Sequence, residues 1–176
     1  MIEALSRRMA IKLKEVNPEE TASVEVMSYA LQGILHNAIT FITAFLAGIL
    51  FGHFVDTLIA VVCFMGLRFV SGGFHFKSAL ACFLFSATIF IGIPFLDLND
   101  HVLMIINGAS LVLAALFAPS NIKEHIRVSE RYFPVFKLLS VLLVTINFIY
   151  LMPVVTLAFF AQAASLIPFK KEVKSL

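Results

Sequence analysis

Long apolar segments alternate with short polar ones over most of the chain. The first runs from about Val26 to Phe51 and exceeds the ~20 residues that an α-helix needs to cross a bilayer. Five further apolar segments are separated by prolines or polar turns, at about 57–67, 78–95, 102–118, 134–150 and 153–168. This pattern predicts an all-α, polytopic membrane protein with about six transmembrane helices.

The N-terminal residues 1–22 follow another pattern. Apolar side chains recur there at helical spacing and basic side chains occupy positions between them: Ile2, Leu5, Met9, Leu13 and Val16 against Arg7, Arg8, Lys12 and Lys14. Such a segment is typical of an amphipathic helix that lies in the membrane surface. It lacks the continuous apolar core of a cleavable signal peptide. We therefore expect one integral membrane domain over 1–176, with an interfacial helix at 1–22, a transmembrane bundle at 26–169 and a basic tail at 170–176.

Charge distribution predicts the orientation of the bundle. With six spans, all 13 Lys and Arg residues fall on one side of the membrane, and three acids, Asp56, Asp97 and Asp100, fall on the other. Cytoplasmic loops carry the excess of Lys and Arg in membrane proteins. We therefore predict that both termini are cytoplasmic.

Composition also narrows the chemistry. The chain is 60% hydrophobic and 14% charged, which is far from the usage of soluble domains. Its two cysteines, Cys63 and Cys82, lie in or beside apolar segments, so a disulfide framework is not expected. There is no nucleotide motif, and a zinc site from His36, His75 and Cys82 lacks a ligand spacing that zinc proteins use. We expect no cofactor and no nucleic-acid partner.

Chemically reactive side chains gather between the second and third spans. Arg68 precedes the break Ser71-Gly72-Gly73, which is followed by His75 and, seven residues later, by Cys82. A cysteine and a histidine can cleave a peptide through a thioester, because the thiol attacks while the imidazole takes and returns a proton.

Each of these residues also has a structural alternative. Cys82 alone could be a small apolar core residue, and His75 an interfacial histidine. Arg68 could bind a substrate carboxylate, stabilise the thiolate, or anchor the chain to lipid phosphate.

The spacing between His75 and Cys82 conflicts with one continuous helix, in which they would stand about 10.5 Å apart along the axis. Proton transfer requires heavy atoms near hydrogen-bond distance. We therefore predict that the third helix begins near Lys77 or Ser78, with Ser78 as its N-cap. His75 would lie on a loop that folds back through the flexible pair Gly72 and Gly73.

A polar stripe runs along the first span at three- and four-residue steps: Tyr29, Gln32, His36, Thr40 and Thr43. Polar side chains in a spanning helix should face the bundle. Gln32 lies about as deep as Cys82, so we expect it to orient His75 or to donate to an oxyanion. Hydrogen bonding between helices is the alternative.

The motif resembles that of the accessory gene regulator B family, in Arg68, in the Ser-Gly-Gly-Phe-His stretch that ends at His75, and in Cys82. The similarity extends to Tyr-Ala-Leu-Gln at 29–32, to Ala118-Pro119 before a basic loop, and to Gln162 before a proline and lysines. The loop departs from the family in that Lys123, Arg127 and Arg131 are spaced out among acids.

The resemblance implies a cysteine endopeptidase of the bacterial cell membrane, with Cys82 as nucleophile and His75 as base and then acid. It implies a small quorum-sensing precursor peptide as substrate, which loses its C-terminal segment and closes to a thiolactone or lactone. Such precursors resemble amphipathic helices with an acidic tail, so the basic inner face would bind them: Lys77, Lys123, Arg127 and Arg131. The other expected partner is membrane lipid, and a homodimer is an open alternative.

A second function class stays open at this stage. The chain could be a small, non-enzymatic membrane transporter or peptide-export protein. In that case Gly72-Gly73 would be a hinge, and Arg68 with His75 would bind an anion.

Overall fold

The computed structural model describes residues 2–74, 78–120 and 130–168. Within these ranges the chain forms seven α-helices and no strand, in agreement with the predicted all-α class. The helices are α1 (Ile2–Val16), α2 (Val24–Leu50), α3 (Phe54–Ser71), α4 (Ala79–Gly92), α5 (Asp100–Phe117), α6 (Phe133–Tyr150) and α7 (Pro153–Ala164). A 3₁₀ turn extends α4 over Ile93–Phe95, and another, Glu130–Tyr132, precedes α6.

Six apolar helices occur in the predicted order, but they differ in length. In the described part of the chain, α2, α3, α5 and α6 are long and apolar enough to cross a membrane. The segment Ala79–Phe95 and the 12-residue α7 are apolar and shorter. Four candidate spans are therefore found, and the count of six stays a prediction, as does the interfacial position of α1.

Two predicted boundaries are wrong. α3 begins at Phe54, so Asp56 lies in its first turn instead of before the apolar segment. The helix continues to Ser71 and includes Arg68 in its last turn, so the apolar segment joins part of the motif. α7 ends at Ala164 instead of Pro168, since the amides of Ser165, Leu166 and Ile167 bond to carbonyls three residues earlier and tighten the chain into a turn.

The short helix α7 is the centre of the bundle. It packs chiefly against α3 and α5, while α2 packs against α1, α3 and α4. One apolar cluster joins α2, α3, α4 and α7 through Ala44, Ala60, Val61, Phe64, Phe90, Ile93 and Ala158. A second joins α3, α6 and α7 through Leu67, Val144 and Phe159. The 12 residues of α7 give a length of about 18 Å at 1.5 Å per residue, which is less than the thickness of the bilayer core. The neighbouring helices pack around this short helix.

The polarity of the bundle is that of a protein surrounded by lipid. Large apolar side chains face outward, among them Ile34, Leu46, Ile105, Leu116 and Ile149. Polar side chains lie inside, where Asn147 donates to Asn107 (3.1 Å) and to Thr156 (2.7 Å). Every buried side-chain nitrogen or oxygen of the described residues has a hydrogen-bond partner. Such a distribution fits hydrocarbon surroundings, because an unpaired polar group there costs several kcal/mol. The chain is therefore an integral membrane protein.

Candidate functional site

Three separate parts of the chain meet at the C-terminal end of α3. The amide of Gly73 donates to the carbonyl of Ser120 (2.9 Å), and the amide of Ser120 donates to the carbonyl of Ser71 (2.9 Å). The amide of Phe74 donates to the carbonyl of Ser165 (3.0 Å), just beyond α7. The segment after α3 is thereby attached to the segments that follow α5 and α7.

Gly72 and Gly73 allow the chain to turn at this point. Their φ angles are 72° and 128°, a region that residues with a side chain rarely adopt. A Cβ atom on Gly73 would lie 2.6 Å from the Ser165 hydroxyl and 3.2 Å from the Gln162 amide nitrogen. The two glycines therefore form a closely packed turn that ends α3 after Ser71, as the predicted break requires. That the following loop folds back towards Cys82 stays a prediction.

A buried polar network supports the turn from the side of α7. The Gln162 side chain is fully buried, and its Nε2 donates to the Ser71 hydroxyl (3.1 Å) and to the Gly72 carbonyl (2.6 Å). Its Oε1 accepts from Nη1 of Arg68 (3.1 Å), while Nη2 of Arg68 donates to the Phe74 carbonyl (2.9 Å). The guanidinium also stands 5.9 Å from the centre of the Phe64 ring. Arg68 thus points into the bundle, which argues against an anchor to lipid phosphate.

A cavity of about 510 Å³ opens beside this network, between α2, α3 and α4. Six phenylalanines form most of its wall: Phe41, Phe64, Phe69, Phe74, Phe85 and Phe90. The polar lining comes from Asn37, Thr40, Arg68, Cys82, Ser86 and Ser165. Arg68 is the one charged side chain among the described residues of the wall. The cavity is therefore apolar with a positive charge at one side, which suits an apolar peptide segment with a developing negative charge.

Cys82 faces this cavity from the first turn of α4. The helix begins at Ala79, and the Ser78 hydroxyl accepts from the amide of Ala81 (3.4 Å), which confirms the predicted N-cap and helix start. The amide of Cys82 donates to the Ser78 carbonyl (3.0 Å). Amide dipoles make the N-terminus of a helix electropositive, and the Arg68 side chain lines the same cavity as Cys82.

The second cysteine has different surroundings. Cys63 lies in the middle of α3 and packs against both apolar clusters. It is not among the described residues that line the cavity. The Cys82 thiol therefore faces a cavity, whereas the Cys63 thiol packs in the core.

The predicted site is brought together only in part. Arg68, Gly72, Gly73, Ser78 and Cys82 lie around the turn and the cavity. Gln32 does not line the cavity within the described residues, although Thr40, two helical turns further along α2, does so. The predictions about His75, Lys77, Lys123 and Arg127 concern residues outside the described ranges. Arg131 is exposed, and its guanidinium donates to the Tyr132 hydroxyl (2.6 Å) and lies over that ring.

Sequence reasoning about site chemistry missed several residues that the structure brings to the site. Gln162, Ser71 and Ser165 form the network, and Asn37 and Ser86 line the cavity. Gln162 carried a signal, because an amide inside an apolar helix marks a contact within the bundle. Ser86 carried a weaker one, since it follows Cys82 by one helical turn on the same face. Within the described ranges, no three His, Cys, Asp or Glu side chains gather as metal ligands.

Comparisons with known proteins give a consistent result. The family model described as accessory gene regulator B matches residues 6–169. An AgrB-like protein of Halalkalibacterium halodurans is 30% identical over 110 residues, which are 62% of this chain and 56% of that protein. The accessory gene regulator protein B of Staphylococcus aureus is 26% identical over 98 residues, 53% of this chain and 52% of that protein.

Protein FsrB of Enterococcus faecalis is 30% identical over 84 residues, 48% of this chain and 35% of that protein. The chain thus spans about half the length of the curated relatives it matches, or less. No solved structure matches it.

Proposed function

The chain belongs to the accessory gene regulator B family, and on that premise we propose that it is a membrane cysteine endopeptidase that matures a quorum-sensing peptide. Its substrate is a small amphipathic precursor, from which it removes the C-terminal segment. The observation that carries the proposal is that Cys82 lines a phenylalanine-rich cavity together with Arg68, in the first turn of a helix.

The proposed reaction has two steps. The Cys82 sulfur attacks the carbonyl carbon of the scissile peptide bond, the C–N bond breaks, and the leaving amine takes the proton that His75 received from the thiol. A thiol or hydroxyl within the bound peptide then attacks the thioester. His75 takes the proton of this attacking group, the C–S bond breaks, the ring closes as a thiolactone or lactone, and His75 passes that proton to the Cys82 thiolate.

The surroundings of Cys82 favour this sequence of steps over hydrolysis. Six phenylalanines line the cavity, and a thioester survives longer beside apolar side chains, where water is scarce. Arg68 supplies a positive charge near the oxygen on which negative charge develops. His75 directly follows Phe74, whose side chain lines the same cavity, and this adjacency supports His75 as the proton carrier.

Substrate binding at the basic inner face is part of the same proposal. Lys77, Lys123, Arg127 and Arg131 would attract an acidic tail of the precursor, while the apolar face of the precursor lies in the membrane. The protein would lie in the bacterial cell membrane with both termini in the cytoplasm, so that the precursor arrives from inside the cell.

A transport function has weaker support. It would need movement at Gly72-Gly73, yet the amides of Gly73 and Phe74 are hydrogen-bonded to Ser120 and Ser165, and Gln162 binds the Gly72 carbonyl. A hinge motion at this pair would have to break these hydrogen bonds.

The direct test is mass spectrometry of a precursor peptide co-reconstituted with the protein in vesicles. The wild type should release the C-terminal fragment, and Cys82→Ala should release none. Cys63→Ala is the matched control and should retain cleavage, because that thiol only fills the core. Equal loss in the two cysteine variants, at equal amounts of folded protein, would refute the assignment of Cys82.

A further inference from the structure

Gln162 uses every polar atom of its side-chain amide at the junction of α3 and α7. Its Nε2 donates one hydrogen to the Ser71 hydroxyl and the other to the Gly72 carbonyl, while its Oε1 accepts from Arg68. The three partners belong to the C-terminal end of α3, 90 to 94 residues away in sequence. A fully buried amide with all its hydrogen bonds made has one orientation available.

Through these bonds Gln162 fixes two parts of the cavity wall. It holds the Arg68 guanidinium, which faces the cavity together with Cys82. It also holds the Gly72 carbonyl at 2.6 Å, and thereby the turn that leads to Phe74. Arg68 bonds to Phe74 from the other side, at its carbonyl. Gln162, Arg68 and the backbone from Gly72 to Phe74 therefore form a closed ring, in which three hydrogen bonds join the parts.

We propose that Gln162 is a positioning residue of this site. It sets the orientation of the Arg68 guanidinium and the position of the Gly72–Phe74 turn relative to Cys82, without itself touching the substrate. The kinetic part of this inference rests on the proposed endopeptidase function, whereas its effect on the reactivity of the Cys82 thiol does not.

The bundle contains a control for a purely structural role. Asn147 is also buried, and it also donates both amide hydrogens to side chains of other helices, Asn107 and Thr156. Neither Asn147 nor its partners line the cavity among the described residues. Replacing Asn147 removes a comparable set of buried hydrogen bonds without reaching the site.

The experiment compares Gln162→Met, Gln162→Glu, Arg68→Met, the double variant Gln162→Met with Arg68→Met, and Asn147→Leu, all in a Cys63→Ala background. The amount of folded protein is measured for each. The rate of Cys82 alkylation by iodoacetamide and the kcat and KM for precursor cleavage are then compared per folded molecule. Gln162→Glu keeps the acceptor for Arg68 and loses both donors, so it provides a second variant if the methionine does not fold.

We expect Gln162→Met to lower kcat by about tenfold to a hundredfold with little change in KM, because small displacements of catalytic geometry cost about that much. Gln162→Glu should give a smaller loss. Alkylation of Cys82 should slow by about threefold to tenfold in Gln162→Met, since thiol reactivity follows the local positive charge. Asn147→Leu should keep both rates. The double variant should fall no further than Arg68→Met, because one residue acts through the other.

Wild-type rates in either folded Gln162 variant, or equal losses in Gln162→Met and Asn147→Leu, would overturn the inference while leaving the proposed function in place. Additive losses in the double variant would also overturn it. If the wild type does not cleave the precursor, the proposed function fails. The alkylation rates then still decide on Gln162, because they need no substrate.

Discussion

At the scale of single residues, Gly73 has the most constrained position in the site. Its φ of 128° is unfavourable for any residue with a side chain, and a Cβ there would meet Ser165 at 2.6 Å. The backbone strain and the close contact would both disturb the hydrogen-bond network that holds Arg68. A backbone position without a side chain is therefore linked to the cavity through its contacts with Ser165 and Arg68.

We predict that Gly73→Ala lowers the free energy of unfolding by about 1–3 kcal/mol, from backbone strain and overpacking. Cleavage per folded molecule should fall by about tenfold or more, because the turn must shift. Gly33→Ala is the control, since a Cβ there meets nothing within 4 Å. Denaturation and cleavage rates measured side by side check the prediction, and unchanged cleavage in folded Gly73→Ala would contradict it.

At the scale of the helices, the start of α4 determines the depth of Cys82 in the bundle. Ser78 caps this helix through the amide of Ala81, and Ser23 caps α2 in the same way through the amide of Val26, both at 3.4 Å. The two caps have the same chemistry and length, but only one of them supports the candidate nucleophile.

Removing either cap should cost about 1 kcal/mol of stability, the usual effect of replacing serine by alanine at an N-cap. We predict that Ser78→Ala also lowers the alkylation rate of Cys82 and the cleavage rate, by roughly two- to tenfold, because the first turn of α4 loosens. Ser23→Ala should leave both rates at the wild-type level. Equal rates in the two variants would show that the cap of α4 has no influence on the thiol.

The sequence predicted the helices well, but it did not predict the side-chain contacts between them. Particular residues show why. Apolar segments longer than a few turns gave the existence and order of the helices, and Ser78 gave the start of α4. Asp56 misled the assignment of the start of α3, since a helix can begin with a charged residue in its first turn. The bond between Arg68 and Gln162 joins residues 94 positions apart, which hydropathy and spacing do not reveal. The turn at Gly73 packs against the same two side chains.

At the scale of the whole molecule, the order of the six apolar helices α2 to α7 leads to a prediction about topology. Reporter fusions at Glu124 and at the C-terminus should report the cytoplasm, and fusions at Asn99 and Tyr150 should report the exterior. The reason is that Lys and Arg concentrate on one side of a six-span arrangement. An exterior signal at Glu124 would contradict this topology, and so would a cytoplasmic signal at Asn99.

The central claim is that the Cys82 sulfur forms a thioester with the precursor. The most direct measurement uses a precursor whose internal thiol or hydroxyl has been replaced by alanine, so that the second step cannot occur and the thioester accumulates. Rapid acid quenching and intact-mass analysis should show the protein heavier by the mass of the N-terminal fragment, and peptide mapping should place that mass on Cys82. Release of the C-terminal fragment by Cys82→Ala, or an acyl group found on Cys63, would contradict the account.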